Sequence, residues 1–280
     1  YRLIPLEEEG ALCMLLSTEF QKNNLRELIV TMLDTDLNAK WEAVYMVENG
    51  SEIIGYHYTP GSVNLLLEKE LYKYQVLRIG LSNGASKMVD YEKVKHFYVS
   101  TFSTYGPIFF FGGEIKGNPA VMRYDSRTGN SIVCPSINQL KADLVGMEFS
   151  KEHGILSVLL ESQVRKDEIS LYVNTYDLSG KLIYNYALPY SQKYNLLTYR
   201  PHILNQNEML LIGTYALKND DTAQGVYVLK LFKNQMQDLR FYDFGYLKNF
   251  FNYLPEKKRD RLQSRIERKR EKEKIHPLRY

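Results

Sequence analysis

Side chains that commonly do chemistry are spread thinly along this 280-residue chain. Its five histidines are His57, His96, His153, His202 and His276. None belongs to an H-x-H or H-E-x-x-H run, the spacings that bring two imidazoles from one element onto one metal ion. His57, His96 and His202 fall on segments of one recurring strand type, so three imidazoles could converge. Otherwise they are strand residues at unrelated depths. Glu52 and Glu148 lie on the same strand type. Glycoside hydrolysis needs two carboxylates facing each other across the scissile bond, but no acid recurs at a matching position in every repeat. Asp34 with Asp36, and Asp220 with Asp221, resemble fragments of a calcium loop without its D-x-D-x-D-G completion, and read as solvated turns. Neither G-x-x-x-x-G-K-[ST] nor G-x-G-x-x-G occurs, so phosphate-loop chemistries lose their usual support, and no cofactor is expected. Cys13 and Cys134 are too few for a disulfide framework or a zinc site. They read as buried thiols, with a single bridge left open.

Charge is concentrated in one place. Glu256–Lys274 holds ten basic and five acidic residues. It contributes +5 to a chain whose formal net charge is +3, so the remainder is about −2. Strong helix formers dominate it, with Leu262 and Ile266 as its apolar residues. Arg261, Arg265, Arg268 and Lys269 are the candidate partner-binding residues, facing an acidic protein, a nucleic acid or a membrane surface. The opposing reading is a solvated helix laced with ion pairs. Nucleic acid is the less expected partner, because base stacking wants aromatic platforms and this stretch has none.

The elements that must position these residues repeat. Ser170–Pro189 reads as two strands joined at Ser179–Gly180. Related hairpins occupy Leu28–Met46, Gln75–Tyr91, Ala120–Ile137 and Val226–Phe244, with corners at Asn38, Asn83–Gly84, Thr128–Gly129 and Asn234. Successive corners are 45 to 54 positions apart. Hairpin corners need positive φ, which Gly and Asn tolerate. Upstream of each hairpin runs a continuous apolar segment: Ala11–Phe20, Ser62–Leu71, Gly106–Ile115, Gly154–Gln163 and Asn207–Ala216. Such runs suit strands buried on both faces. Glu52–Pro60, Lys95–Ser103, Leu144–Glu152 and Tyr199–Gln206 supply the third, inner strand type, and Tyr1–Leu6 reads as an inner or closing strand.

Four short strands per unit of roughly 45–55 residues are the signature of a propeller blade. On these repeats the chain resembles the β-propeller superfamily over residues 1–244, with blades at about 1–49, 50–92, 93–137, 138–189 and 190–244. The fold class is all-β, a β-propeller of about five four-stranded repeats with a C-terminal helical extension or insertion. Neither a WD dipeptide signature nor a shared kelch double glycine runs through the repeats. The likeness is greatest to poorly characterised bacterial secreted propellers. It implies an exported protein of the periplasm or cell surface and assigns no functional residue.

Past Phe244 the period changes. Leu247, Phe250, Phe251 and Leu254 follow helical spacing, and Pro255 fits the first turn of a second helix within the basic segment 245–274. Residues 275–280 read as the start of a further strand, so the natural chain is expected to continue into another blade. Twenty-three tyrosines against one tryptophan suit half-buried strands, or a tyrosine-lined sugar or peptide surface. No apolar run reaches the roughly 18 residues of a membrane helix. The leading expectation is a non-enzymatic binding or scaffold module that recognises a protein or glycan on a propeller face. The alternatives are a propeller glycoside hydrolase with channel-facing carboxylates, and anion or nucleic-acid binding by the basic helix.

Overall fold

The computed structural model describes residues 2–18, 23–70, 73–91, 96–135, 142–165, 168–188, 194–217, 222–247 and 249–270. The chain divides into two compact units, Tyr1–Cys134 and Pro135–Tyr280.

The first unit holds three sheets. One is built from β1 (Arg2–Pro5), β2 (Ala11–Leu16), β3 (Leu25–Leu33) and β4 (Ala39–Glu48). The next contains β5 (Glu52–Thr59), β6 (Ser62–Glu70), β7 (Lys73–Gly80) and β8 (Ser86–Tyr91). The third contains β9 (Phe97–Tyr105), β10 (Ile108–Ile115), β11 (Asn118–Asp125) and β12 (Asn130–Val133). In each, consecutive strands pair antiparallel in chain order. The second strands are the apolar runs, and their burial follows. Val63, Leu65, Leu66 and Leu67 of β6 and Phe109, Phe110 and Phe111 of β10 are all buried. One cluster unites the first two sheets through Leu12, Val30, Leu65 and Leu77. A second unites the next two, with Phe111 stacked on Tyr91 at 4.4 Å and Tyr124 edge-on to Tyr91 at 5.1 Å. Each such side chain contributes about 1.5–3 kcal/mol by leaving water.

The second unit opens with a sheet of β13 (Asp143–Ser150), β14 (Ile155–Arg165), β15 (Glu168–Asp177) and β16 (Leu182–Leu188). The last sheet departs from four strands. Its inner strand is split into β17 (Tyr194–Leu196) and β18 (Arg200–Ile203), both paired to β19 (Glu208–Leu217), which continues to β20 (Gly225–Phe232) and β21 (Gln235–Asp243). The break is filled from the partner strands. Thr198 accepts from the Tyr227 hydroxyl at 3.0 Å, and its own hydroxyl accepts from the Thr214 amide at 2.9 Å. Gly213 is required there, because a Cβ would stand 1.8 Å from the Thr198 carbonyl oxygen.

Five successive antiparallel meanders, four of four strands and a fifth with its inner strand split in two, none sharing a strand with another, make this an all-β chain of β-propeller blades. Within the stretch expected to supply an inner or closing strand, Arg2–Pro5 forms β1, paired to β2. Two hairpin corners differ from the expectation. Gly84, Gly129 and Gly180 are the left-handed corner residues (φ 70°, 70° and 82°), but in the first and fifth hairpins the positive φ belongs to Leu37 and Lys233, not to Asn38 and Asn234. In the first hairpin, side-chain bonding shapes the corner. Asp34 Oδ1 accepts from the amides of Asp36 and Asn38 at 2.9 and 2.8 Å, and these bonds hold its carboxyl below the ordinary range. Asp125 and Asp177 open the third and fourth corners in the same way.

The ending also differs from expectation. Leu247–Leu254 forms no helix; a 3-10 turn at Phe244–Tyr246 is followed by turns, and α1 (Glu256–Arg270) begins after Pro255, whose carbonyl accepts from Lys258 and Arg259. The helix-like spacing of apolar residues instead serves a satellite core, in which Phe251, Phe250 and Phe244 pack against Leu262 and Ile266 of α1. Residues 271–280, with His276 and the expected further strand, lie outside the described residues.

Candidate functional site

The basic helix is ordered by its apolar side. Ile266 and Leu262 are one turn apart and meet the Phe251 cluster. That contact turns the rest of the helix outward. Arg261, Arg265 and Arg268 are all exposed, as is Lys257. Steps of four, four and three residues set these four cations in one row, about 16 Å long at the helical rise. Asp260 and Glu267 stand about a quarter turn to one side of the row. The side chain of Lys269 lies outside the described set.

The histidines do not sit alike. His57 is on β5, with its Nδ1 3.0 Å from Thr104 Oγ1 and its Nε2 3.1 Å from Ser103 Oγ, and Asn64 donates to the same Thr104 hydroxyl at 3.1 Å. Ser103 and Thr104 are buried, so this network ties β5 to β9 rather than facing a substrate. His96 is not on an inner strand; it occupies the turn before β9 with φ 63°. His202 is exposed on β18 in the other unit, and His153 sits in the turn before β14. Among the described residues no three His, Cys, Asp or Glu side chains form a metal-holding group. Cys13 is half-buried, Cys134 is buried, and no disulfide joins them. Glu52 and Glu148 are exposed and belong to different units. Asp220 and Asp221 lie outside the described residues.

A narrow groove between the fourth and fifth sheets has an accessible volume of about 20 Å³. Its floor is apolar: Ile155, Val173, Tyr186, Ile203, Met209 and Leu231. These are positions of β14, β15, β16, β18, β19 and β20, placed there by strand alternation. Its rim is polar, and sequence reasoning did not single it out. The turn Asn205–Asn207 forms one lip and the outer strand β16 the other. The Tyr184 hydroxyl donates to Asn207 Oδ1 at 2.6 Å, joining the lips. Asn234 Oδ1 accepts from the Asn185 amide at 3.0 Å, so the amide of an outer edge strand is satisfied by the neighbouring sheet. Asn205 is consumed in its own turn, accepting from the amides of Asn207 and Glu208 and donating to Glu208. Gln206, Lys181, His153 and the Asn207 amide nitrogen are left facing an adjoining polar lobe of about 450 Å³. The one signal in the sequence was the N-Q-N run at 205–207 opposite a tyrosine-bearing outer strand.

A second cleft, of about 500 Å³, lies between the inner strands of the same two sheets and is lined by Glu148, Glu161, Thr198, Tyr199 and Arg200. The register pairs Glu148 with Ser157, four positions before Glu161 on β14. The Cα atoms of the two glutamates are thus carried about 13 Å apart along the strand.

No protein-family model matches the chain, and no curated protein does. Solved structures with a similar chain path include the β-propeller domain of the trilobed protease from Pyrococcus furiosus (10% identity, 69% of this chain and 57% of that one, TM-score 0.46). Hsv2 from Kluyveromyces lactis is similar at 11% identity over 80% of this chain and 73% of that one, TM-score 0.45. A prolyl endopeptidase is similar at 10% identity over 85% of this chain and 34% of that one, TM-score 0.48. The chain spans little more than half of the first and about a third of the last. The assignment of the fold rests on the five sheets themselves.

Proposed function

We propose that this chain is a non-enzymatic binding module, and that the groove between its fourth and fifth sheets takes a short glycan. The observation that carries this reading is the polar lobe of about 450 Å³ beside the Tyr184–Asn207 bridge, lined by Tyr184, Lys181, Gln206 and Asn207. A sugar ring presents an apolar C–H face to an aromatic side chain and hydroxyls to amides, which both donate and accept. A concave apolar site with a few convergent polar groups is the usual form of a small-ligand site. The test is a panel of neutral oligosaccharides, read by calorimetry against the wild type and the Tyr184→Ala, Asn207→Ala double variant. The expected result is at least one ligand whose affinity falls tenfold or more, about 1.4 kcal/mol, in the variant. A panel without binders, or equal binding by both proteins, contradicts it.

The row on α1 favours a second contact, with an acidic segment of a protein partner. Arginine forks match carboxylates in pairs, and the apolar side of α1 is already occupied, so the contact is electrostatic. Poly-L-glutamate serves as the probe. Its binding is expected to weaken as salt rises and to be lost in the Arg261→Glu, Arg265→Glu, Arg268→Glu variant. Retention in that variant contradicts it.

A further inference from the structure

The cleft between the inner strands of the second unit contains charges that the fold leaves uncommitted. Among the described residues, neither Glu148 nor Arg200 has a side-chain hydrogen bond or an ion pair, and both are exposed where they line the cleft. Glu161 is held from below by Tyr199, whose hydroxyl oxygen lies 3.2 Å from Glu161 Oε2 and 2.9 Å from the carbonyl oxygen of Leu196. A phenol has one proton and cannot donate to both acceptors fully. With the proton on the nearer Leu196 oxygen, a carboxylate oxygen and a phenol lone pair face each other. A donor brought by a ligand can satisfy both. The walls above are apolar: Met147, Leu159, Leu197 and Pro201. Tyr199 ionises only well above the ordinary phenol range, because it is buried and lies beside Glu161, so it stays neutral in this role.

From this arrangement we infer that the cleft is a site for a zwitterion, an apolar α-amino acid or a short apolar peptide. Its ammonium lies between Glu161 and the Tyr199 oxygen. Its carboxylate meets the Arg200 fork, the geometry in which arginine binds carboxylates best. Its side chain rests on the Met147–Leu159 wall. A cation alone leaves Arg200 unused and an anion alone leaves Glu161 unsatisfied, so both charges are needed for full affinity. This site is separate from the groove and holds whether or not the groove takes a glycan.

The experiment is calorimetry on the full chain with L-leucine and leucyl-leucine, against isoamylamine, isocaproate and N-acetyl-leucine amide. The expected result is binding of leucine or its dipeptide, with every singly charged or blocked analogue at least tenfold weaker. Arg200→Ala, at an exposed position, is expected to cost tenfold or more while leaving Tm unchanged. Tyr199→Phe removes the lone pair that faces the ammonium and is expected to weaken the dipeptide without changing the isocaproate signal. Absence of binding by both zwitterions overturns the inference. So does equal binding by the blocked analogue, or binding that survives in Arg200→Ala.

Discussion

Tyr74 and Tyr227 show how this chain uses its tyrosines. Each ring is buried, and each hydroxyl meets one backbone partner: the Tyr74 oxygen accepts from the Val99 amide at 3.0 Å, and Tyr227 donates to the Thr198 oxygen at 3.0 Å. A buried hydroxyl without such a partner would cost about 1–3 kcal/mol. Burial also resists ionisation. It pushes Tyr74 up to about 12, and raises Tyr91, Tyr199, Tyr215 and Tyr227 as well. In the unfolded chain these phenols titrate near about 10. Between those values the folded state binds more protons than the unfolded one, so stability declines as pH rises. The contribution is fully present below pH about 10 and is lost on the way to about 12. An ultraviolet titration of tyrosinate alongside circular dichroism is expected to show a late class of tyrosines that ionise only as the sheets unfold. Ionisation of every tyrosine near 10 with the sheets intact would contradict this.

At the scale of elements, the helix α1 is attached by a small contact. Phe251 and Ile266 are its buried anchors, with Phe244, Phe250, Leu254 and Leu262 around them. Truncating a buried phenylalanine costs about 3–5 kcal/mol, and here that loss falls on the satellite core. Phe251→Ala is expected to release α1 to trypsin at its arginines while the main thermal transition of the sheets is retained. A variant as resistant as the wild type would show that α1 is held by something else. Much of this level was legible in the sequence. Continuous apolar runs such as Ile108–Phe111 announce second strands, because a strand buried on both faces needs no polar alternation. The Gly84, Gly129 and Gly180 corners were legible for their conformation. What was missed has physical causes. The 247–254 spacing matches a helix, but those residues satisfy their apolar demand by folding back on α1. The Asn38 and Asn234 corners were misread because Asp34, four residues upstream of Asn38, organises the first turn, and Asn234 serves the neighbouring sheet. The split inner strand depends on Gly213 and Thr198, fifteen positions apart, a pairing that no local pattern reveals.

At the scale of the whole molecule, five separate meanders mean that recognition surfaces arise where sheets meet, from residues far apart in sequence. That is why the candidate site was harder to read than the fold. Tyr184 and Asn207 are on different sheets, and Glu161 and Tyr199 likewise. Neither pair forms a motif. The basic row on α1 was legible because it lies on one element. The measurement that tests the account most directly is hydrogen–deuterium exchange of the full chain with and without the tightest-binding glycan. Added protection confined to 182–188 and 203–209, the two lips of the groove, is the expected result. Protection confined to 143–150 and 197–203, or none at a saturating concentration, would contradict the placement of the ligand at the Tyr184–Asn207 groove.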